Sequence, residues 1–221
     1  MEIELSNRIL IVGGASGSGK TTIVKDLVKD FPKKFGRLVS VTTRPMRYGE
    51  VEGVDYFFTN QKEFDRRERR GEFAEFVDAS SSQSDFSYAT PWSEIERIDK
   101  LKLSPIGDLD LMGLIAIKEK YITMTTSIYL FSTEQHRTWM LNDRGHPKEI
   151  DRFDQRILRG NAQDISASKG EKYKKLIDHP INSIYGEQKR VYWEVLKCIN
   201  HLFDLEIDFT KDLTISDLPG M

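Results

Sequence analysis

Gly14-Ala15-Ser16-Gly17-Ser18-Gly19-Lys20-Thr21 fits the pattern GxxxxGK[ST], and the β-branched apolar run Ile9-Leu10-Ile11-Val12 leads straight into it. That combination dictates a local geometry. A strand must deliver the chain to a tight turn, and a helix must begin where the turn ends. Successive backbone N–H groups then converge on phosphate oxygens, with the positive end of the helix dipole behind them. Gly14, Gly17 and Gly19 supply the turn, Lys20 reaches the β- and γ-phosphates of a nucleoside triphosphate, and the Thr21 hydroxyl ligates Mg²⁺. Ile23, Leu27, Val28 and Phe31 follow at helical spacing, and Pro32 ends the helix. An ordinary glycine-rich turn would account for neither the strand before the motif nor the helix after it.

The phosphate acceptor has to be read from the next segment. Arg44 and Arg47 lie three residues apart where Pro45 and Gly49 prevent a regular helix. Both can converge on one phosphate monoester, because guanidinium fork geometry gives paired, charged hydrogen bonds. Tyr56 adds a hydroxyl donor. Thr42-Thr43-Arg44, Arg47, Gly49-Glu50, Gly53 and Asp55-Tyr56-Phe57-Phe58 together resemble the signature of the guanylate kinase family, and the likeness runs from about Ile9 to about Cys198.

The resemblance implies an ATP-binding set of Gly14, Ala15, Ser16, Gly17, Ser18, Gly19, Lys20, Thr21 and Thr22. It places Ser40, Arg44, Arg47, Glu50 and Tyr56 on the GMP side. Gly71-Glu72-Phe73-Ala74-Glu75-Phe76 looks like the segment carrying the guanine-reading carboxylate, which falls on Glu75. Guanine offers N1–H and the 2-amino group side by side, so one carboxylate can accept from both; adenine cannot match this. Tyr88-Ala89-Thr90 implies Tyr88 on the acceptor phosphate and Thr90 at guanine O6, with Ser40 near the same atom. Tyr88 can also be read as a strand aromatic packed in a core. The polar stretch Ala79 to Asp85 between these segments reads as a mobile loop tip.

Asp108-Leu109-Asp110-Leu111-Met112-Gly113 falls where the family has Asp-x-Asp-x-Gln-Gly at the end of a core strand. The likeness implies Asp108 as a Mg²⁺ carboxylate and Asp110 as a contact of the guanine amino group, whereas the bare residues also suit an acidic pair at a turn. Pro105 cannot donate to a ladder, so the strand is expected to begin at Ile106 or to carry the proline as its first residue. Beyond the strand Ser127-Ile128-Tyr129-Leu130-Phe131, a helix from Thr133 to Gly145 leads into a lid over about 137–160, with Arg144 and Arg156 matching lid arginines. Met140 occupies the place of a third, and Arg137 lies one helical turn before it as a substitute. Asn182 resembles the asparagine near the adenine ring, although an asparagine at a strand end is commonplace.

The rest of the composition mainly excludes. With 33 basic and 35 acidic residues, the chain is not a general nucleic-acid binder. Arg66-Arg67-Glu68-Arg69-Arg70 follows Asn60-Gln61-Lys62-Glu63, an N-cap with its box glutamate, and reads as a solvated helix face. Cys198 is the one cysteine, which rules out internal disulfides, and it reads as a helical core position. No apolar run approaches membrane-spanning length, and the start Met1-Glu2-Ile3-Glu4-Leu5 lacks the regions of a secretory leader, so a cytoplasmic protein is expected.

The expected fold is α/β: a parallel sheet of the P-loop NTPase type with helices on both faces, a mainly β GMP-binding insert over about 36–90, and a helical lid. The core takes about 6–35 and 91–203. The tail 204–221 reads, from its apolar alternation, as an edge strand or a partner contact. The function implied is transfer of the ATP γ-phosphate to GMP or dGMP with Mg²⁺, through Lys20, Arg44, Arg144 and Arg156 as the catalytic cations. Other readings are a kinase of another small phosphate acceptor, such as the ribosyl bisphosphate kinases of the same fold, or a non-catalytic phosphopeptide-binding relative. Glu75, Thr90 and Asp110 speak against the first, and the intact P-loop against the second. Whether the protein is a monomer or a homo-oligomer is left open.

Overall fold

The computed structural model describes residues 5–15, 17–78, 86–133, 135, 139, 176–184 and 186–209. Its larger sheet has five parallel strands in the spatial order β2 (Phe35–Arg37), β7 (Ser104–Leu109), β1 (Ile9–Gly14), β8 (Thr125–Phe131) and β9 (His179–Asn182). β1 is central and every residue in it is buried, as a continuous apolar run flanked by parallel neighbours requires.

The alternation of β1 divides the core in two. Leu10 and Val12 join Ile106, Ile128 and Leu130 under α1 (Lys20–Asp30) and a C-terminal helix, α5 (Gln188–Ile199). Ile9 and Ile11 face the other way, onto α3 (Trp92–Lys100) and α4 (Leu111–Lys120), which contribute Ile95, Ile98, Leu114 and Ile117. The parallel sheet with helices on both faces is therefore present as expected. Cys198 is partly buried against the first of these clusters.

A second, mixed sheet of four strands has the order β4 (Phe57–Phe58), β3 (Val41–Thr42), β6 (Tyr88–Pro91) and β5 (Phe73–Val77). Its core is small: Val41, Phe64, Phe73 and Ala89, with Phe64 delivered by α2 (Gln61–Arg69). Asn60 caps α2 by accepting the Glu63 N–H at 2.9 Å, as the capping signature predicts. The helix keeps Arg69 exposed, while Arg66 pairs with Glu63 and Arg67 reaches Glu72 and the Phe73 ring.

Three expectations need correction. β7 begins at Ser104, so Pro105 is its second residue and lies between two strands. Ser104 and Ile106 both bond toward β2, so the Pro105 nitrogen faces β1, whose ladder with β7 starts only at Leu10 opposite Ile106. The missing N–H falls just before that ladder begins and breaks no rung. Gly36 and Arg37 belong to β2 of the larger sheet rather than to the insert. The tail as far as Phe209 adds no strand: Phe203 and Leu205 are buried in the α1/α5 cluster, and Phe209 packs edge-on to Trp193 at 5.0 Å.

Candidate functional site

The carboxyl ends of β1 and β7 bring the phosphate loop and Asp108 together. Gly19 adopts φ 94°, a left-handed conformation open to glycine, and is the N-cap residue of α1. A Cβ on Gly14 would lie 2.5 Å from Ser18 Oγ and 2.8 Å from the Leu130 carbonyl oxygen, so a side chain there would push the loop off the sheet. Gly17 also has a positive φ, 79°. Lys20 Nζ donates to the Ala15 carbonyl at 2.9 Å and folds back across the loop. Ser18 is fully buried, with a hydroxyl that has no hydrogen-bond partner among the described residues. Thr22 is exposed on the first turn of α1. Ser16 lies outside the described residues.

Thr21 Oγ1 donates to Asp108 Oδ2 at 2.7 Å. A hydroxyl and a carboxylate in contact beside the loop form a hard oxygen donor pair that suits Mg²⁺, an ion that keeps much of its coordination for water and phosphate oxygens. Among the described residues no group of three or more His, Cys, Asp or Glu side chains is placed to hold a metal. The residues fit a metal that arrives with a nucleotide better than one held by protein alone.

Facing this centre is the loop between β3 and β4. Its start is fixed by Ser87, whose N–H donates to Thr43 Oγ1 at 2.8 Å and whose carbonyl accepts from Thr42 Oγ1 at 3.1 Å. Arg44 is consequently buried, and Glu50 grips its guanidinium at two points, 2.7 and 3.0 Å. A third bond runs from Nη1 to the Pro45 carbonyl at 2.7 Å. These contacts take three of five N–H groups and leave the Nε and second Nη2 donors, which share one edge of the fork. Burial alone would disfavour the charge on Arg44, but the Glu50 carboxylate raises its pKa above the usual value. For Glu50 burial acts upward, and its bonds from Arg44 and the Arg47 N–H outweigh it and hold the carboxyl below its usual range.

Arg47 is exposed on this loop, and its backbone N–H donates to Glu50 at 2.7 Å. Tyr56 lies 5.4 Å beneath the Arg44 guanidinium carbon, with Tyr88 6.1 Å away ring to ring. Burial first, then the charge of Asp108, pushes the Tyr56 hydroxyl up to about 12, so at neutral pH it keeps its proton and can donate it to an anion. That effect of Asp108 places the P-loop centre and the tyrosines in one electrostatic neighbourhood.

A third group gathers where β5 and β6 meet α4. Glu75 is 7% exposed and accepts from Thr90 Oγ1 at 2.7 Å. Its other oxygen lies 3.0 Å from where a Cβ on Gly113 would stand, so a side chain there would have to push the carboxylate aside. Burial pushes Glu75 up to about 7; the Thr90 hydrogen bond resists and the Asp110 carboxylate adds to the rise. Asp110 itself is exposed and caps α4, accepting the Gly113 N–H at 2.9 Å. Asp110 is thus a helix cap whose charge is felt at Glu75. Ser40 is half-buried just before β3, and its carbonyl accepts from the Phe57 N–H at 2.9 Å.

At the far end, Asn182 is the exposed last residue of β9. Its neighbour Ser183 carries no motif, yet its hydroxyl donates to the Ser18 carbonyl at 2.9 Å and ties the end of β9 to the phosphate loop. Arg37 is equally unmarked in sequence and ends 3.7 Å from Asp108. The lid positions Arg137, Met140, Arg144 and Arg156, and the 79–85 stretch, lie outside the described residues.

Comparison with known proteins agrees with this geometry. The sequence pattern described as guanylate kinase matches residues 6–180. The guanylate kinase of Chlamydia felis is 34% identical over 164 residues, covering 74% of this chain and 78% of that protein. The guanylate kinase of Symbiobacterium thermophilum is 38% identical over 114 residues, covering 51% of each chain. The crystal structure of guanylate kinase from Anaplasma phagocytophilum, 22% identical, covers 91% of this chain and 89% of its own with a TM-score of 0.62, and has the same fold. From the match over most of its length, this chain belongs to the guanylate kinase family.

Proposed function

We propose that the P-loop with Asp108, the Arg44–Tyr56 pocket and the Glu75–Thr90 corner are the donor, acceptor-phosphate and base sites of one phosphotransferase. The protein is a kinase that transfers the γ-phosphate of ATP to GMP; dGMP, which offers the same base and phosphate, is the second acceptor of this reading.

Phosphoryl transfer asks little covalent chemistry of the protein. It needs two phosphates held end to end and cations around the developing charge. The N–H groups of the loop and Lys20 hold the donor phosphates; Lys20 exchanges its Ala15 carbonyl for a phosphate oxygen. Thr21 and Asp108 would hold Mg²⁺, which when bound screens the donor phosphates and polarises the transferring group. Arg44 meets the acceptor phosphate with its unspent edge, held in place by Glu50, while Tyr56 and Tyr88 donate hydroxyl protons. Glu50 therefore serves the acceptor through Arg44, by orienting it. Arg47, Arg144 and Arg156 supply further cations once the lobes close over the substrates.

The single observation carrying the choice of base is Glu75: a buried carboxylate with one oxygen satisfied by Thr90 and the other toward α4. In its ionised form it can take the paired N1–H and N2–H donors of guanine, whereas adenine would leave it unpaired. Thr90 must rotate its hydroxyl from Glu75 toward O6 when the base arrives, and the Asp110 carboxylate accepts from the amino group. Among the described residues no helix is long and apolar enough to cross a membrane, and we place the enzyme in the cytoplasm. ADP release from ATP and Mg²⁺ across GMP, dGMP, AMP, CMP and UMP tests the assignment. Turnover with AMP should be slower by a factor on the order of 10⁴, since a site built to pair polar groups rejects a partner lacking them; comparable rates would overturn it.

A further inference from the structure

Arg37 ends β2 with a side chain only 17% exposed. Its Nη2 stands 3.7 Å from Asp108 Oδ1, an ion-pair distance too long for a hydrogen bond. Nη1 donates to the Val54 carbonyl at 3.2 Å, and Nε is buried with no hydrogen-bond partner among the described residues. One hydrogen bond from five N–H groups is sparse for a guanidinium withdrawn from water, because buried polar groups are normally satisfied. A purely structural partnership with Asp108 would close to a fork at about 2.8 Å. Here Asp108 instead turns its other oxygen to Thr21 at 2.7 Å, and the guanidinium is left partly unspent.

Its surroundings say what could fill the gap. On one side is the donor centre, Thr21 and Asp108; on the other is the loop carrying Val54 and Tyr56. Asp108 and Arg37 are both close enough to act on the Tyr56 hydroxyl, in opposite senses. Arg37 therefore neighbours both the phosphate-loop centre and the tyrosine beneath Arg44. A phosphate dianion entering there meets Arg44, already gripped by Glu50, and needs more positive charge than Arg44 supplies alone.

We propose that Arg37 is a third guanidinium of the acceptor-phosphate site, with a free Nη N–H taking an oxygen of the GMP phosphate on the side facing the donor. The proposal rests on the reading that Arg44 and Tyr56 hold that phosphate. Because it touches the monoester and not the base, Arg37 contributes to binding any acceptor in proportion to its phosphate charge and adds nothing for the nucleoside.

Calorimetry without Mg²⁺ or ATP, with GMP and with guanosine, on the intact protein and on Arg37→Met, Arg37→Lys and Arg44→Ala, tests this. Loss of one partner of a buried charge contact predicts that Arg37→Met weakens GMP on the order of 30-fold. Guanosine affinity should stay within about twofold, and Arg37→Lys should fall between wild type and Arg37→Met. Guanosine binding also reports that the variant is folded. Equal loss of GMP and guanosine would make Arg37 a pin for the 51–56 loop and overturn the proposal. Unchanged GMP binding in Arg37→Met with weakened binding in Arg44→Ala would overturn it while leaving the phosphate site in place. Unchanged binding in Arg44→Ala would instead remove the reading on which it stands.

Discussion

Glu75→Gln is the substitution whose consequences follow most fully from the structure. Burial holds the Glu75 acid near 7 instead of 4.5, so the native state binds its proton more tightly than the unfolded chain does. The stability this provides is complete below about pH 4.5 and is lost as pH rises through about 7. At 1.36 kcal/mol per tenfold change in acidity, the difference amounts to about 3 kcal/mol. Glutamine keeps an acceptor for Thr90 and cannot ionise, so the variant should match wild type near pH 4.5 and exceed it by about 3 kcal/mol at pH 8 in urea unfolding.

Binding runs the other way. Guanine offers two donors and requires the carboxylate, so GMP must expel the Glu75 proton, about half a proton per site at pH 7. Calorimetry of GMP binding in two buffers of different ionisation enthalpy counts that proton. The phosphate of GMP also titrates nearby and contributes equally to both proteins, so the difference between wild type and Glu75→Gln isolates the side chain. The variant should lose the half proton and bind GMP at pH 8 at least about tenfold more weakly, the loss of a charge-assisted pair. Identical proton counts would show that Glu75 does not face the base, whatever happened to affinity.

Lys20→Met should lower kcat by a factor on the order of 10² while GMP affinity persists, whereas Arg44→Ala should cost GMP about 2 to 5 kcal/mol and spare ATP, as separate titrations of each nucleotide would reveal. Lys118, buried and bonded to the Thr125 carbonyl and to Asp178, anchors the chain entering β9. Lys118→Met removes the ammonium from the Thr125 carbonyl and leaves the Asp178 carboxylate with the Ser127 donors but no countercharge, which should cost about 2 kcal/mol or more in chemical denaturation, and a neutral result would mean that water reaches the site. Phe203→Ala removes the ring packed 5.2 Å from Phe35 and should cost about 3 kcal/mol, and an unchanged midpoint would mean that this ring adds nothing to the core.

The phosphate loop was legible because its chemistry is contiguous: eight residues in fixed spacing specify strand, turn and helix together. The Arg44–Arg47 spacing by itself suggests a phosphate clamp, whereas the base corner is legible only through family likeness, since Glu75 and Thr90 come from separate strands and no local spacing links them. Pro105 misled because propensity registers a missing N–H but not which neighbour that N–H would have faced. The edge of the insert was misplaced by two residues for a related reason: β2 has only three residues, and the pairing of Gly36 with Pro105 that assigns it to the large sheet lies far away in sequence. Asp110 showed its second role as a helix cap only once Gly113 was in place. Arg37 and Ser183 had no signal at all; their roles follow from where β2 and β9 end.

The strand order carries a consequence for how the polypeptide comes off the ribosome. β1 pairs with β7 and β8, strands that begin at Ser104 and Thr125, so its two neighbours are synthesised roughly a hundred residues after it. Such non-local pairing is slow to form and leaves the apolar strand without partners in the meantime. ATP stabilises only a chain that already has a formed loop, and so can assist assembly only after β8 has emerged. The phosphate loop is thus made well before the strands that give it its shape. Pulse-labelled hydrogen exchange on refolding should show the β1 amides gaining protection no earlier than those of β8.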